Sequence, residues 1–166
     1  MRAAALLLAF GASACGWHQG LVAPDPTAET VGVEIFGNLS PEPGVEADLA
    51  PYLSAALVDW VALDFATPHH ADLVVRGTVT EFRRRNGIRS QDNELLEGSV
   101  RIETTAELVR RADGAVLRTA STGLWAQYPT GTPTLNAPGG GEGPARERLY
   151  RNLADRLILE LFRAEE

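Results

Sequence analysis

The chain has 166 residues, 22 of them acidic, and all fifteen of its basic residues are arginine. Without lysine, Schiff-base catalysis and a P-loop are excluded. The net charge of −7 argues against nucleic acid as the main partner, while a local basic patch for an anionic ligand remains open. A single cysteine excludes an intramolecular disulfide, so stability has to come from packing.

The chain opens with Arg2 and a twelve-residue apolar run, Ala3 to Ala14, directly followed by Cys15. This is the layout of a secretory signal ending in small residues, and Ala12-Ser13-Ala14-Cys15 resembles the lipobox of bacterial lipoproteins. In a lipobox the thiol is acylated and the cysteine becomes the new N-terminus. Ala12 departs from the leucine usual at its position. An ordinary cleaved signal is the competing reading. An uncleaved spanning helix is not, because crossing a hydrocarbon core of about 30 Å takes about 20 apolar residues. Removing residues 1–14 leaves 152 residues, with fourteen arginines against 22 acidic residues, or −8. That length suffices for one domain with a real core.

Residues 15–29 are rich in Gly and Pro and read as a lipidated tether, and residues 30–166 as a single domain. Thr30 to Phe36 alternates and predicts a strand with Val31, Val33 and Ile35 on its buried face. A turn-rich stretch, Gly37 to Gly44, leads into a helical stripe of Val45, Leu49, Leu53, Ala56, Leu57 and Trp60, with Pro51 predicting a kink or a later start. Ala71 to Arg83 reads as a second strand and Arg83 to Glu94 as a basic loop. Leu96 to Val109 alternates with Val100, Ile102, Thr104, Ala106 and Leu108 inward. Ala112-Asp113-Gly114 supplies a tight turn, and Val116 to Tyr128 returns as the last strand. Pro129 to Gly143 has loop composition. Pro144 suits a helix start, and Leu149, Leu153, Leu157 and Leu161, widened by Ile158 and Phe162, form a helical stripe. The expected fold is an α+β two-layer sandwich, β-α-β-β-β-α, with two helices on a mostly antiparallel four-stranded sheet.

Three stretches, Cys15-Gly16-Trp17, Ile35-Phe36-Gly37-Asn38-Leu39-Ser40-Pro41-Glu42-Pro43-Gly44-Val45-Glu46 and Ala71 through Phe82 (ADLVVRGTVTEF), resemble the LptE family of outer-membrane lipoproteins. Pro51 and the glycine-rich stretch 139–143 depart from that pattern. The resemblance implies a non-enzymatic protein that plugs and stabilises the β-barrel translocon LptD and assists lipopolysaccharide assembly. It also implies a lipid anchor at Cys15 with three acyl chains. Gly16 is compatible with release to the outer membrane, where an aspartate after the cysteine retains many lipoproteins at the inner membrane. An alternative is an envelope lipoprotein that regulates a peptidoglycan synthase or a secretion apparatus.

Candidate sites are few. Arg83, Arg84, Arg85 and Arg89 form the best candidate for lipopolysaccharide phosphate, because guanidinium holds phosphate through paired, planar hydrogen bonds. Solvation of a loop is the bland reading of the same run. His69-His70 lacks partners for a metal site, and His18 lies in the tether. No catalytic constellation and no cofactor motif is found. Gly139 to Gly143 reads as a linker, although a helix start there has some affinity for an anion. Trp60 and Trp125 are expected in the core, and Trp17 and Leu21 near the lipid.

Overall fold

A computed structural model describes residues 20–87, 89, 91–92, 96–130 and 141–163. Its elements are β1 (Thr30–Val33), β2 (Gly37–Asn38), α1 (Val45–Trp60), β3 (Asp64–Phe65), β4 (Leu73–Asn86), β5 (Glu97–Arg110), β6 (Val116–Pro129) and α2 (Glu142–Leu161). Cys15 and the signal lie outside the described residues, as do Gly139 and Gly140.

The expected four-stranded, mostly antiparallel sandwich is corrected to two helices on a six-stranded mixed sheet. Its order is β3-β1-β4-β5-β6, with β2 also on β4. Three pairings are parallel: β1 with β3, β1 with β4 and β2 with β4. The other two are antiparallel. Strands of two residues carry no detectable period, so β2 and β3 leave no trace in the sequence pattern.

The first strand is also shorter than its alternation predicts. It ends at Val33, and Ile35, expected inward, is 71% exposed. After this break β2 resumes alongside β4, with Glu34 N–H donating to Val75 O at 2.9 Å and Leu39 N–H to Val79 O at 2.9 Å. The slip turns Phe36 inward, where its ring lies over Gly77. A Cβ at Gly77 would come within 2.5 Å of that ring and 2.4 Å of Thr105 O.

The three long strands form a meander whose one face is the core. Val100, Ile102, Thr104, Ala106 and Leu108 of β5 are all buried, as their alternation requires. Leu149, Leu153, Leu157 and Leu161 of α2 pack over β5 and β6, while α1 lies beside α2 and brings Leu49, Leu53 and Leu57 to the same core over β1 and β4. Each such side chain contributes about 1.5–3 kcal/mol when fully buried. α1 runs through Pro51 with neither a late start nor a break. Pro51 and Ala47 are both exposed, so the Ala47 carbonyl that Pro51 cannot serve faces solvent.

Residues 20–29 lie along the domain. Leu21 forms a parallel bridge with Val61, and Asp25 accepts from Thr27 N–H, Thr27 Oγ1 and, at 2.6 Å, Arg110 Nε. The Asp72 carboxylate receives Glu29 N–H, Thr30 N–H and Thr30 Oγ1, tying the start of β1 to the start of β4. Gly77→Ala is expected to cost about 1–3 kcal/mol by overpacking. Gly143→Ala, whose Cβ meets nothing within 4 Å, should gain up to about 1 kcal/mol in α2. Urea unfolding midpoints moving in opposite directions would verify both.

Candidate functional site

Where each arginine points is decided by one irregularity in β4. Its register against β5 slips between Val79 and Glu81, so Val79 and Phe82 both face the helices. Beyond the slip, Arg84 lies on the helix side and Arg83 and Arg85 on the opposite face. The first part of the loop expected over Arg83 to Glu94 is therefore corrected to strand, since β4 continues to Asn86, and Arg83, Arg84 and Arg85 separate by face. Arg89 lies past the strand end and is exposed.

Arg84 closes a charge network at the rim where both helices begin. Its Nη1 and Nη2 donate to Glu42 Oε2 and Oε1, each at 2.7 Å, and its Nε to Glu142 Oε1 at 2.7 Å. Arg146 of α2 adds a bond to Glu42 Oε1 at 2.9 Å, and its guanidinium stands 4.6 Å from the Phe82 ring centre. Tyr128 donates to Glu142 at 3.4 Å. Two arginines and two glutamates thus neutralise each other around the bidentate Arg84–Glu42 pair, tying the turn before α1 to α2 and β4. The Arg84 hydrogen bonds, aided by Arg146, hold the Glu42 carboxyl at about 2, well below its usual 4.5. Burial, reinforced by Glu142, raises the Tyr128 phenol.

The other face of β4-β5-β6 is uncovered, and its side chains align in rows across the three strands. Cross-strand register gives Arg76–Glu107–Thr119, Thr78–Thr105–Ser121, Glu81–Glu103–Gly123, Arg83–Arg101–Trp125 and Arg85–Ser99–Gln127. Arg76 Nε meets Glu107 Oε2 at 3.0 Å. Arg83 pairs closely with Glu81, and Arg101 with Glu103, so the Arg83–Arg101 row is balanced by the glutamate row beside it. Trp125 stands 63% exposed beside Arg101. Next to the first two rows, Ile35, Arg76, Thr78, Thr105, Glu107 and Ser121 line a concavity of about 550 Å³.

Of the sequence candidates, the structure brings Arg83 and Arg85 to one face and separates Arg84 from them. Arg101 and Trp125, which complete that face, were missed as a pair because only the strand register places them side by side. The expectation that Trp60 and Trp125 are core residues is corrected: both are exposed. Trp60 is the last residue of α1, where the stripe runs off the end, and Trp125 has odd parity on β6 whereas the core uses even. His70 Nδ1 lies 2.9 Å from Thr67 Oγ1, and both His69 and His70 are exposed. Among the described residues no group of three His, Cys, Asp or Glu is placed to hold a metal ion.

No protein-family model matches the chain, and no curated protein matches it. Solved structures do share its fold. PelC from Paraburkholderia phytofirmans, a dodecamer, superposes with a TM-score of 0.56 at 19% identity, covering 82% of this chain and 89% of PelC. Protein CT253 from Chlamydia trachomatis gives 0.50 at 12% identity, covering 80% and 96%. Lipoprotein GNA1162 from Neisseria meningitidis gives 0.47 at 14% identity, covering 78% and 97%. At such identities the likeness to PelC and CT253 shows the fold alone.

Acid should loosen the rim. Glu42 and Asp25 both have carboxyls lowered to about 2, Asp25 through its bonds to Thr27 and then Arg110. Their stabilisation is complete above the unfolded-state values near 4 and is lost as the pH falls towards 2. Thermal melts from about pH 6 to pH 2 are expected to show stability declining through that window. Glu42→Gln should lower the melting temperature at neutral pH and flatten the decline.

Proposed function

We propose that this chain is a non-enzymatic lipoprotein of the outer membrane, anchored through Cys15, whose domain seats against an LptD-like β-barrel and assists lipopolysaccharide assembly. The observation that carries this reading is the uncovered face of β4-β5-β6, five rows of mostly polar side chains. The inner wall of an outer-membrane barrel is polar, and a plug has to meet it with hydrogen-bonding groups. Sequence supports the anchor, through the apolar run and the Ala12-Ser13-Ala14-Cys15 motif. Stable attachment takes at least two acyl chains, and lipoprotein processing supplies three.

Glycolipid phosphate is assigned to Arg83, Arg85 and Arg101, which share the open face with Trp125. Arg84 is left out of that set because Glu42 and Glu142 already occupy its donors. The glutamates beside Arg83 and Arg101 keep the side chains oriented in the absence of ligand.

A second reading is a self-assembling envelope subunit, favoured by the fold shared with PelC, a dodecamer. Retention experiments separate the two. Tagged full-length protein recovered from its own membranes in mild detergent is expected to hold a large β-barrel in near-equal amount. Recovery of only its own copies would favour the second reading, and a cell-wall synthase or secretion component without a barrel would sink both. Trp125→Ala is expected to lower barrel recovery about 30-fold, as truncation of a central aromatic anchor does, with an unchanged melting temperature.

A further inference from the structure

Opposite the charged rim, one edge of the domain exposes large apolar side chains. α1 and α2 both start at the rim held by Arg84, Glu42 and Glu142, so both finish at the opposite end. There Leu21 N–H donates to Trp60 O at 2.6 Å and Ala62 N–H to Leu21 O at 3.1 Å, which sets residues 20–22 beside the end of α1. The chain continues into β3, an edge strand of the sheet. On this edge Val22 is 77% exposed, Phe65 46% and Trp60 43%. The Trp60 indole N–H is fixed to Asp155 of α2 at 2.9 Å, so the ring is held in place rather than swinging into the core.

We propose that this edge rests on the lipid surface, with Val22, Trp60 and Phe65 entering the interfacial layer. The inference rests on the reading of Cys15 as the acylated residue. Cys15 precedes Gly20 by five residues, so even a fully extended connection spans at most about 18 Å. Gly20 itself packs on Ala62, where an added Cβ would come within 2.7 Å of the Ala62 nitrogen. An acylated Cys15 therefore holds this edge close to the bilayer, and the apolar side chains presented there are those that a headgroup boundary accepts, tryptophan above all.

Charge narrows the kind of attachment. Residues 20–66 contain no arginine, Asp59 and Asp64 lie among the apolar positions, and Arg110, which reaches this segment from β5, is already paired with Asp25 and Asp113. Anionic headgroups gain nothing from such an edge, so the contact is apolar and insensitive to salt.

The test uses the mature, lipidated full-length protein in vesicles of phosphatidylethanolamine and phosphatidylglycerol containing brominated acyl chains. One double variant, Trp17→Phe with Trp125→Phe, leaves Trp60 as the only tryptophan. Another, Trp17→Phe with Trp60→Phe, leaves Trp125 as the reference on the open face. Bromine is expected to quench Trp60 at least twofold, equally in 0.1 M and 1 M salt, and to leave Trp125 unaffected. Adding Val22→Asp and Phe65→Asp to the first variant should remove most of that quenching, with circular dichroism verifying that the fold persists. Protein that floats with the vesicles while Trp60 stays unquenched overturns the proposal and leaves the anchor intact. Protein that stays in the soluble fraction, without acyl mass on Cys15, overturns the anchor and this contact together.

Discussion

Side-chain parity along β4 is the constraint on which the rest depends. A strand sends successive side chains to opposite faces, so a single extra residue exchanges inside for outside for everything beyond it. In β4 that residue lies at the slip between Val79 and Glu81. Before it, Leu73, Val75 and Val79 supply the core; after it, Phe82 does, and Arg84 follows on the same side. Without the slip Arg83 and Arg85 would point at the helices, Phe82 would point at solvent, and the rim network would have no cation on the sheet. The bulge thus serves the apolar core and the electrostatics of both faces at once.

The two faces then divide the charged residues by task. On the helix side, Arg84 and Arg146 meet Glu42 and Glu142 in a network with little left to offer a ligand, because the best donors are already engaged in bidentate geometry. On the open side, Arg83 and Arg101 are paired with glutamates on their own strands, and both side chains remain substantially exposed. Exposed pairs of this type contribute only about 0–1 kcal/mol, so a partner that offers better acceptors can displace them at small cost. Arg83 and Arg84, adjacent in sequence and identical in chemistry, therefore differ in role: one remains exchangeable and the other holds the fold.

Much of the architecture was legible in the sequence, and the parts that were not share a cause. Both helices and the three long strands carry a period over ten or more residues, which is why the stripe of Leu149, Leu153, Leu157 and Leu161 and the inward set on β5 stand where alternation put them. The parallel pairings did not show, because β2 and β3 are two residues long and their partners are distant in sequence. Ile35 and Phe36 exchanged places for the same reason: a break in pairing is invisible to a pattern that assumes none. The open face was readable residue by residue but not as a surface, since Arg101 and Trp125 become neighbours only through the β5-β6 register.

The topology also imposes an order of assembly. β5 and β6 are joined by a tight turn, and β4 and β5 by about ten residues, so the meander closes through short loops. β1 has no such neighbour. Its partner β4 begins about forty residues later, on the far side of α1, and Asp72, which holds its first residue, arrives with that strand. The slow, non-local step is therefore the docking of the chain's own beginning. In a polypeptide that emerges N-terminus first, β1 and the residues before it stay unpaired until the sheet they join has been made. Residues 20–29, which pack beside β1, thus remain accessible throughout that interval, and their late placement is written into the strand order.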